Sequence, residues 1–298
     1  MSQLTTETAP ELDAQRRQFV DQAIQEVAHI ATLPEITVKI IDLVEDPDST
    51  AQDLHLIISN DPALCSRVLK VVNSAFYGLP GQIGSINRAI ILLGLNAVKN
   101  IAIAASLAKL FRGGRLSPHF SARDLWMHSI GVAAGVKLLS DRIELGLPDE
   151  AFLGGLIHDI GIMVEMQALR TKLIEVLAHR HEAGGSFIAA EDQVIGANHQ
   201  HFGQALCEKW KFPRSFAYVT GFHHRPLELE AESRTITTLV HVADILAVRH
   251  ELGYTGTVAG DEIDAQVLDE LKITQQALEE ISEQLPDAFM VTDQLLTG

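Results

Sequence analysis

The stretch Leu153-Gly154-Gly155-Leu156-Ile157-His158-Asp159-Ile160-Gly161-Ile162-Met163 is apolar almost throughout, with a His-Asp pair set into its middle. Pro148 supplies a helix-start signal just before it. An ionised carboxylate in a dry interior costs several kcal/mol unless something pairs with it. Asp159 therefore needs a metal, a cationic side chain or a network of donors. Which of these it has decides whether the chain is an enzyme, a metalloprotein or a scaffold.

The rest of the composition agrees with a large helical core. The chain has 298 residues, room for one large domain or two ordinary ones. Hydrophobic residues make up 47% and aromatics only 5%, with Ala, Leu and Ile carrying the core. A net charge of −16 argues against a general nucleic-acid or anionic-membrane binder, although a local basic pocket stays open. Cys65 and Cys207 are too few and too far apart for a disulfide framework, so a reducing compartment is expected. The N-terminus lacks the basic start and apolar centre of a signal peptide, and no run of about 18 apolar residues occurs. The expectation is a cytoplasmic protein with neither a nucleic acid nor a membrane as partner.

Working outward, every segment reads as helix. A first helix is expected over Ala14–Ala31, with Phe19, Ala23, Val27 and Ile30 on one face. A short one carries Ile36, Ile40, Ile41 and Val44 and stops at Asp46-Pro47. Thr50 and Asp53, then Asp61-Pro62, then Ser85 open the next three. An apolar helix from Asn96 to Phe111 is expected to be buried, and the Gly-rich loop Arg112–Pro118 is the best boundary. Beyond it, Ser121, Pro148, Leu169, Ser186, Asn198, Pro213 and Thr235 each open a helix, and two acidic amphipathic segments follow Asp261. No strand is convincing. The reading is all-α, with a frayed start over 1–14, a helical sub-bundle over 15–114, a second bundle over 115–250 and acidic helices over 251–298.

Seven residues in that second bundle suggest a site. His128, His158, Asp159, His199, His223, His224 and Asp244 lie on five separate expected helices, mostly in apolar surroundings. Neighbouring helical positions point about 100° apart, so His158 and Asp159 can hold two edges of one cation site. Imidazole with carboxylate suits Fe, Mn, Zn, Ni or Co better than Ca or Mg. The bland alternative is a relic held by packing, with Asp159 bonded to His128 or a backbone donor. His199 and His201 point to different faces of one helix, so only one enters, and His199 is preferred. The other histidines, among them His29, His55 and His241, read as ordinary surface or core residues.

The most specific patterns lie elsewhere: Ile58-Ser59-Asn60-Asp61-Pro62-Ala63-Leu64, Leu69 through Gly78, and Ile83-Gly84-Ser85-Ile86-Asn87-Arg88 through Gly94. Together with Leu125-Trp126-Met127-His128-Ser129, Gly155 through Gly161, and Trp210 through His224, they closely resemble the HD-related output domain (HDOD) family over roughly Leu33 to His224. The resemblance implies a helical signalling module related to HD-domain phosphohydrolases, generally without hydrolase activity. A signalling protein is then the expected partner, with a homo-oligomer left open. By position, His128, His158, Asp159 and Asp244 would hold a first ion. His199, His223 and His224 would complete a second, with Asp159 bridging, as in HD-GYP phosphodiesterases. Asp124, one turn before His128, would add a carboxylate or orient that ring.

The chain departs from the active relatives at two places. Ile162 stands where those enzymes usually carry Lys after His-Asp-Ile-Gly, and Arg225-Pro226-Leu227-Glu228-Leu229-Glu230 replaces their Gly-Tyr-Pro loop. Arg225 and Arg88 are the remaining cationic candidates. The expectation is a regulatory module that binds a divalent transition metal, one ion or two, without catalysis. The alternative is a metal-dependent phosphohydrolase acting on a nucleotide or cyclic dinucleotide.

Overall fold

A computed structural model describes residues 9–26, 35–45, 48–74, 77–108, 110–111 and 114–297. The expected positions of Val27, His29, Ile30 and Asp46-Pro47 lie outside the described residues, as does the side chain of Val44. Helix α1 (Ala9–Glu26) begins before the expected Ala14.

Helices α2 (Glu35–Glu45), α3 (Ala51–Ser59), α4 (Pro62–Val72), α5 (Ile86–Leu93) and α6 (Leu95–Leu107) follow. Their starts are set locally. Thr50 accepts from the backbone N–H of Asp53, and Asp53 returns the bond to the Thr50 backbone N–H at 2.9 Å. Asp61 accepts from the Leu64 N–H at 2.9 Å, with Pro62 at the first helical position. Ser85 caps α5 in the same manner. Each such cap stabilises by about 1 kcal/mol. Helix α6 is buried along nearly its whole length, as its composition predicts, but it ends at Leu107 instead of Phe111.

A short antiparallel hairpin, β1 (Arg115–Ser117) and β2 (Phe120–Ser121), occupies the loop where no strand was expected. Two strands this short carry too few residues for periodicity to register. Ser121 then caps α7 (Ala122–Arg142), which packs against α8 (Pro148–Ile157), α14 (Thr235–Arg249) and α16 (Gln275–Thr297). Between them run α9 (Ile160–Ala168), α10 (Arg170–Ala183), α11 (Phe187–Val194), α12 (His199–Lys209), α13 (Arg214–Phe222), a 3-10 turn at Pro226–Glu228 and α15 (Ala265–Leu271). The fold is all-α apart from the hairpin.

One apolar cluster runs from Val20 and Ile40 through Leu64 and Leu107 to Leu156, Phe202 and Leu296. A second joins Val132, Leu139 and Leu246 to Leu268, Leu278 and Leu285. The acidic C-terminal segments are therefore half core: α16 buries Ala277, Leu278, Ile281 and Leu285 and turns Glu279 and Glu280 to solvent. Among the described residues, no single helix is long and apolar enough to cross a membrane.

The His158-Asp159 pair is not inside one helix, contrary to the expectation. Helix α8 ends at Ile157, α9 begins at Ile160, and Asp159 leaves the helical region at φ −96°, ψ 17°. The Ile162 N–H reaches back to the Asp159 carbonyl at 3.0 Å, closing a tight corner. The corner frees the direction of the Asp159 side chain from the 100° step of a regular helix.

Candidate metal centre

Each of the seven predicted residues is delivered to one place. His128 comes from the first third of α7, His158 and Asp159 from the α8–α9 corner, and His199 from the first residue of α12. His223 and His224 follow the end of α13, and Asp244 lies in α14. Gly161 permits the convergence, because a Cβ there would meet the His199 carbonyl oxygen at 1.9 Å. Only glycine lets α9 and α12 approach so closely.

Three overlapping groups result, each with ligand atoms within 4.8 Å of one another: Asp159, His199, His223 and His224; His128, His158 and Asp159; His158, His223 and Asp244. Asp159 Oδ1 lies 3.4 Å from His199 Nε2 and 3.3 Å from His223 Nε2, and Oδ2 lies 3.4 Å from His158 Nε2. Asp244 Oδ1 lies 3.0 Å from His128 Nε2 and 4.0 Å from His158 Nε2. The Nε2 atoms of His199 and His224 are 3.1 Å apart. All seven residues are fully buried except His224, whose side chain is 13% exposed.

The far sides of the rings say which nitrogen carries the proton. His158 Nδ1 sits 2.8 Å from the Gly155 carbonyl, His223 Nδ1 3.1 Å from that of Val219, and His128 Nδ1 3.3 Å from that of Leu252. A carbonyl only accepts, so each Nδ1 donates outward and the inward Nε2 of a neutral ring holds a lone pair. His199 differs: its Nδ1 donates to the Glu191 carboxylate, at 2.8 and 3.0 Å from the two oxygens.

Neutral rings would therefore aim lone pairs at carboxylate oxygens. His158 Nε2, His223 Nε2 and both oxygens of Asp159 are buried without a well-formed hydrogen bond. Acceptor facing acceptor in a dry interior is unfavourable unless a cation stands between them. In the metal-free chain protons take that role in part. Burial alone would depress His158, but the Asp159 carboxylate, then Asp244, lift it to about 9. Burial raises Asp159, and His158 with His223 and His199 overrides this and holds the carboxyl well below the usual range. Asp244 is also held down, against its burial, by the bond to His128. Burial pushes His223 down, and pushes His224 well down with help from His223 and His199. The donor set of imidazoles and carboxylates fits a divalent transition metal.

Other expectations fall out differently. Asp124 does not reach the centre: its carboxylate accepts from Ser121 Oγ at 2.7 Å within the start of α7. His201 is also outside, accepting from the Asn198 backbone N–H at 3.1 Å. Ile162 is fully buried. Arg225 pairs with Glu228 at 3.0 Å, and Arg88 is exposed on α5.

Three residues with no site role in the sequence reading lie against the centre. His241 Nδ1 meets the His223 carbonyl at 2.7 Å, one turn before Asp244, a spacing that could have drawn attention to it. Glu191 and Glu165 are both fully buried. Burial pushes each carboxyl well up, and for Glu165 the Glu191 charge adds to it. Two such carboxyls cannot both ionise, and Glu191 alone receives donors from His199, so the shared proton belongs on Glu165.

The HDOD domain family model matches residues 30–226. The chain belongs to the HDOD family. Solved HDOD structures share the fold. An HDOD domain protein from Geobacter sulfurreducens superposes with a TM-score of 0.80 at 23% identity, covering 96% of this chain and 100% of that one. A phosphohydrolase candidate from Shewanella amazonensis SB2B gives 0.70 at 23% identity, covering 94% and 98%. A signal transduction candidate from Marinobacter aquaeolei VT8 gives 0.72 at 20% identity, covering 98% and 68%. A curated relative, an uncharacterised protein of Treponema pallidum (strain Nichols), is 22% identical over 236 residues, 79% of this chain and 45% of that protein. This HDOD chain thus spans about half the length of that relative.

Proposed function

We propose that this chain is a regulatory HDOD module that holds divalent transition metal in its second bundle and does not turn over phosphate esters. The observation that carries the metal is the set of inward Nε2 atoms lying 3.3–3.4 Å from the Asp159 oxygens. His128, His158, Asp159 and Asp244 would hold one ion, and Asp159, His199, His223 and His224 a second. Bound there, such ions would supply charge neutralisation and, given access, activation of water.

An anionic ester needs counter-charge, yet Ile162 is buried aliphatic and Arg225 is engaged by Glu228. The ligand atoms are closed off from solvent save at the edge of His224. A sealed, charge-compensated centre acts as a structural or sensing element, and signal output then passes through protein contacts. The second reading, a metal-dependent phosphohydrolase acting on a nucleotide, draws on the completeness of the seven-residue set.

The two separate in one assay. The metal-loaded chain is incubated with bis(p-nitrophenyl) phosphate and with a cyclic dinucleotide. Hydrolysis no greater than that of His158→Ala is expected. Turnover that His158→Ala abolishes would overturn the non-catalytic reading.

A further inference from the structure

The four inward-facing imidazoles that meet Asp159 and Asp244 through Nε2 are not held alike. His128, His158 and His223 lean on neutral backbone carbonyls. His199 leans on a carboxylate that is itself 0% exposed and contributed by another helix. Glu191 stands in the last turn of α11, five residues before the Gly196–Asn198 turn into α12. It accepts from His199 twice, from Nδ1–H and from the backbone N–H at 3.3 Å. These two donors, with Nδ1–H shared between both carboxylate oxygens, fix the position, tautomer and tilt of that ring.

We infer that Glu191 is a positioning residue that makes the His199 compartment, Asp159 with His199, His223 and His224, a distinct metal position whose occupancy depends on it. The inference rests on the metal-binding reading above and goes beyond it by separating the two positions. A carboxylate behind a metal-bound imidazole makes the ring a better donor and prevents it from rotating away. Glu191 is fully buried, as is Glu165 on α9, so no solvent competes for the Glu191 oxygens. The compartment of His128, His158 and Asp244 has no such carboxylate; its rings are anchored by Leu252 and Gly155 carbonyls. Loss of Glu191 should therefore empty one position and spare the other.

The metal-free 298-residue chain is titrated with Co2+ while bound metal is counted by elemental analysis and the ligand-field spectrum is recorded. Glu191→Gln keeps the size and an acceptor oxygen but removes the charge. It is expected to weaken one bound ion by about 10–100-fold, leave the other unchanged and remove the part of the spectrum belonging to the weakened site. In a His199→Gln background the same substitution is expected to change cobalt affinity less than about 2-fold, because its effect passes through that ring. If Glu191→Gln does not fold by far-ultraviolet circular dichroism, Glu191→Asp retracts the carboxylate by one methylene and is expected to weaken the same ion alone. Unchanged affinity for every ion, or equal weakening with and without His199, would overturn the inference. Wild type that binds no cobalt would overturn it together with the metal reading, whereas wild type with two ions and unaffected variants would overturn only the role of Glu191.

Discussion

Helices α2–α6 and helices α7–α14 bury the same aliphatic kinds of side chain, and they differ in how they treat polar atoms. In the first region, among the described residues, the buried side-chain polar groups close on themselves with the exception of Arg67 Nε. Thr37 Oγ1 and Ser106 Oγ are 2.6 Å apart, Ser106 donates to the Ile103 carbonyl, and Lys99 Nζ donates to the Leu43 carbonyl at 2.9 Å. In the second, Asp159, Asp244, Glu165, Glu191 and four fully buried histidines share one interior, and several ring nitrogens and carboxylate oxygens face each other without a well-formed hydrogen bond. A buried polar network is tolerable when all its members are satisfied and costly when they are not. The first region is nearly complete as it stands, and a cation would complete the second.

Asp159 faces three imidazoles, so its loss should separate the two regions most sharply. Asp159→Ala is expected to weaken every bound ion by more than about 100-fold, since it removes a ligand common to both positions. Isothermal titration with Zn2+ or Co2+ reads this, and a variant that keeps either ion at wild-type affinity would rule out the bridging role. In the other region Leu64→Ala removes a fully buried side chain from α4. It is expected to cost about 2–5 kcal/mol in urea unfolding while metal stoichiometry stays unchanged. Loss of metal in that variant would show that the regions are not separable.

Protonation sharpens the contrast at intermediate size. In the metal-free chain His158 is raised to about 9 from 6.5. A raised group stabilises fully below its unfolded value and loses that contribution as pH climbs through the folded one. Metal-free protein should therefore lose thermal stability between pH 6.5 and 9. Asp159 and Asp244 are held low, so their contribution is present at neutral pH and is lost only as pH falls below the ordinary carboxylate range. A bound ion would replace the His158 proton, so metal uptake should release protons and tighten across the same interval, and the Tm of the loaded protein should vary less. Calorimetric scans of both forms from pH 6.5 to 9 check this, and identical profiles would count against it. The smallest effect belongs to a cap: Thr50→Ala, far from the centre, should cost about 1 kcal/mol and leave metal binding alone.

Much of this was legible in the chain because it is local. Thr50, Asp61, Ser85, Ser121, Ser186 and Asn198 each cap the helix that follows, and such signals span only three or four residues. The seven convergent residues were legible because polar groups in apolar helices have few other reasons to be there. Asp124 went astray although the sequence held the answer: Ser121 three residues before it forms a capping pair. Glu191 and Glu165 were not legible, because an acid on a short helix looks like a solvated face until the helices packed over it are known. The break at His158-Asp159 was hidden for the same reason. Its corner depends on the close seating of α12 against Gly161, a contact between residues far apart in sequence.

The most direct test of the central claim is the metal content of untagged wild-type protein purified without chelator, set beside His158→Ala prepared in parallel. The account predicts at least one equivalent of a divalent transition metal per wild-type chain and a clear deficit in the variant. Wild type that emerges folded and metal-free, and stays so when offered Fe, Mn, Zn, Ni and Co, would contradict it.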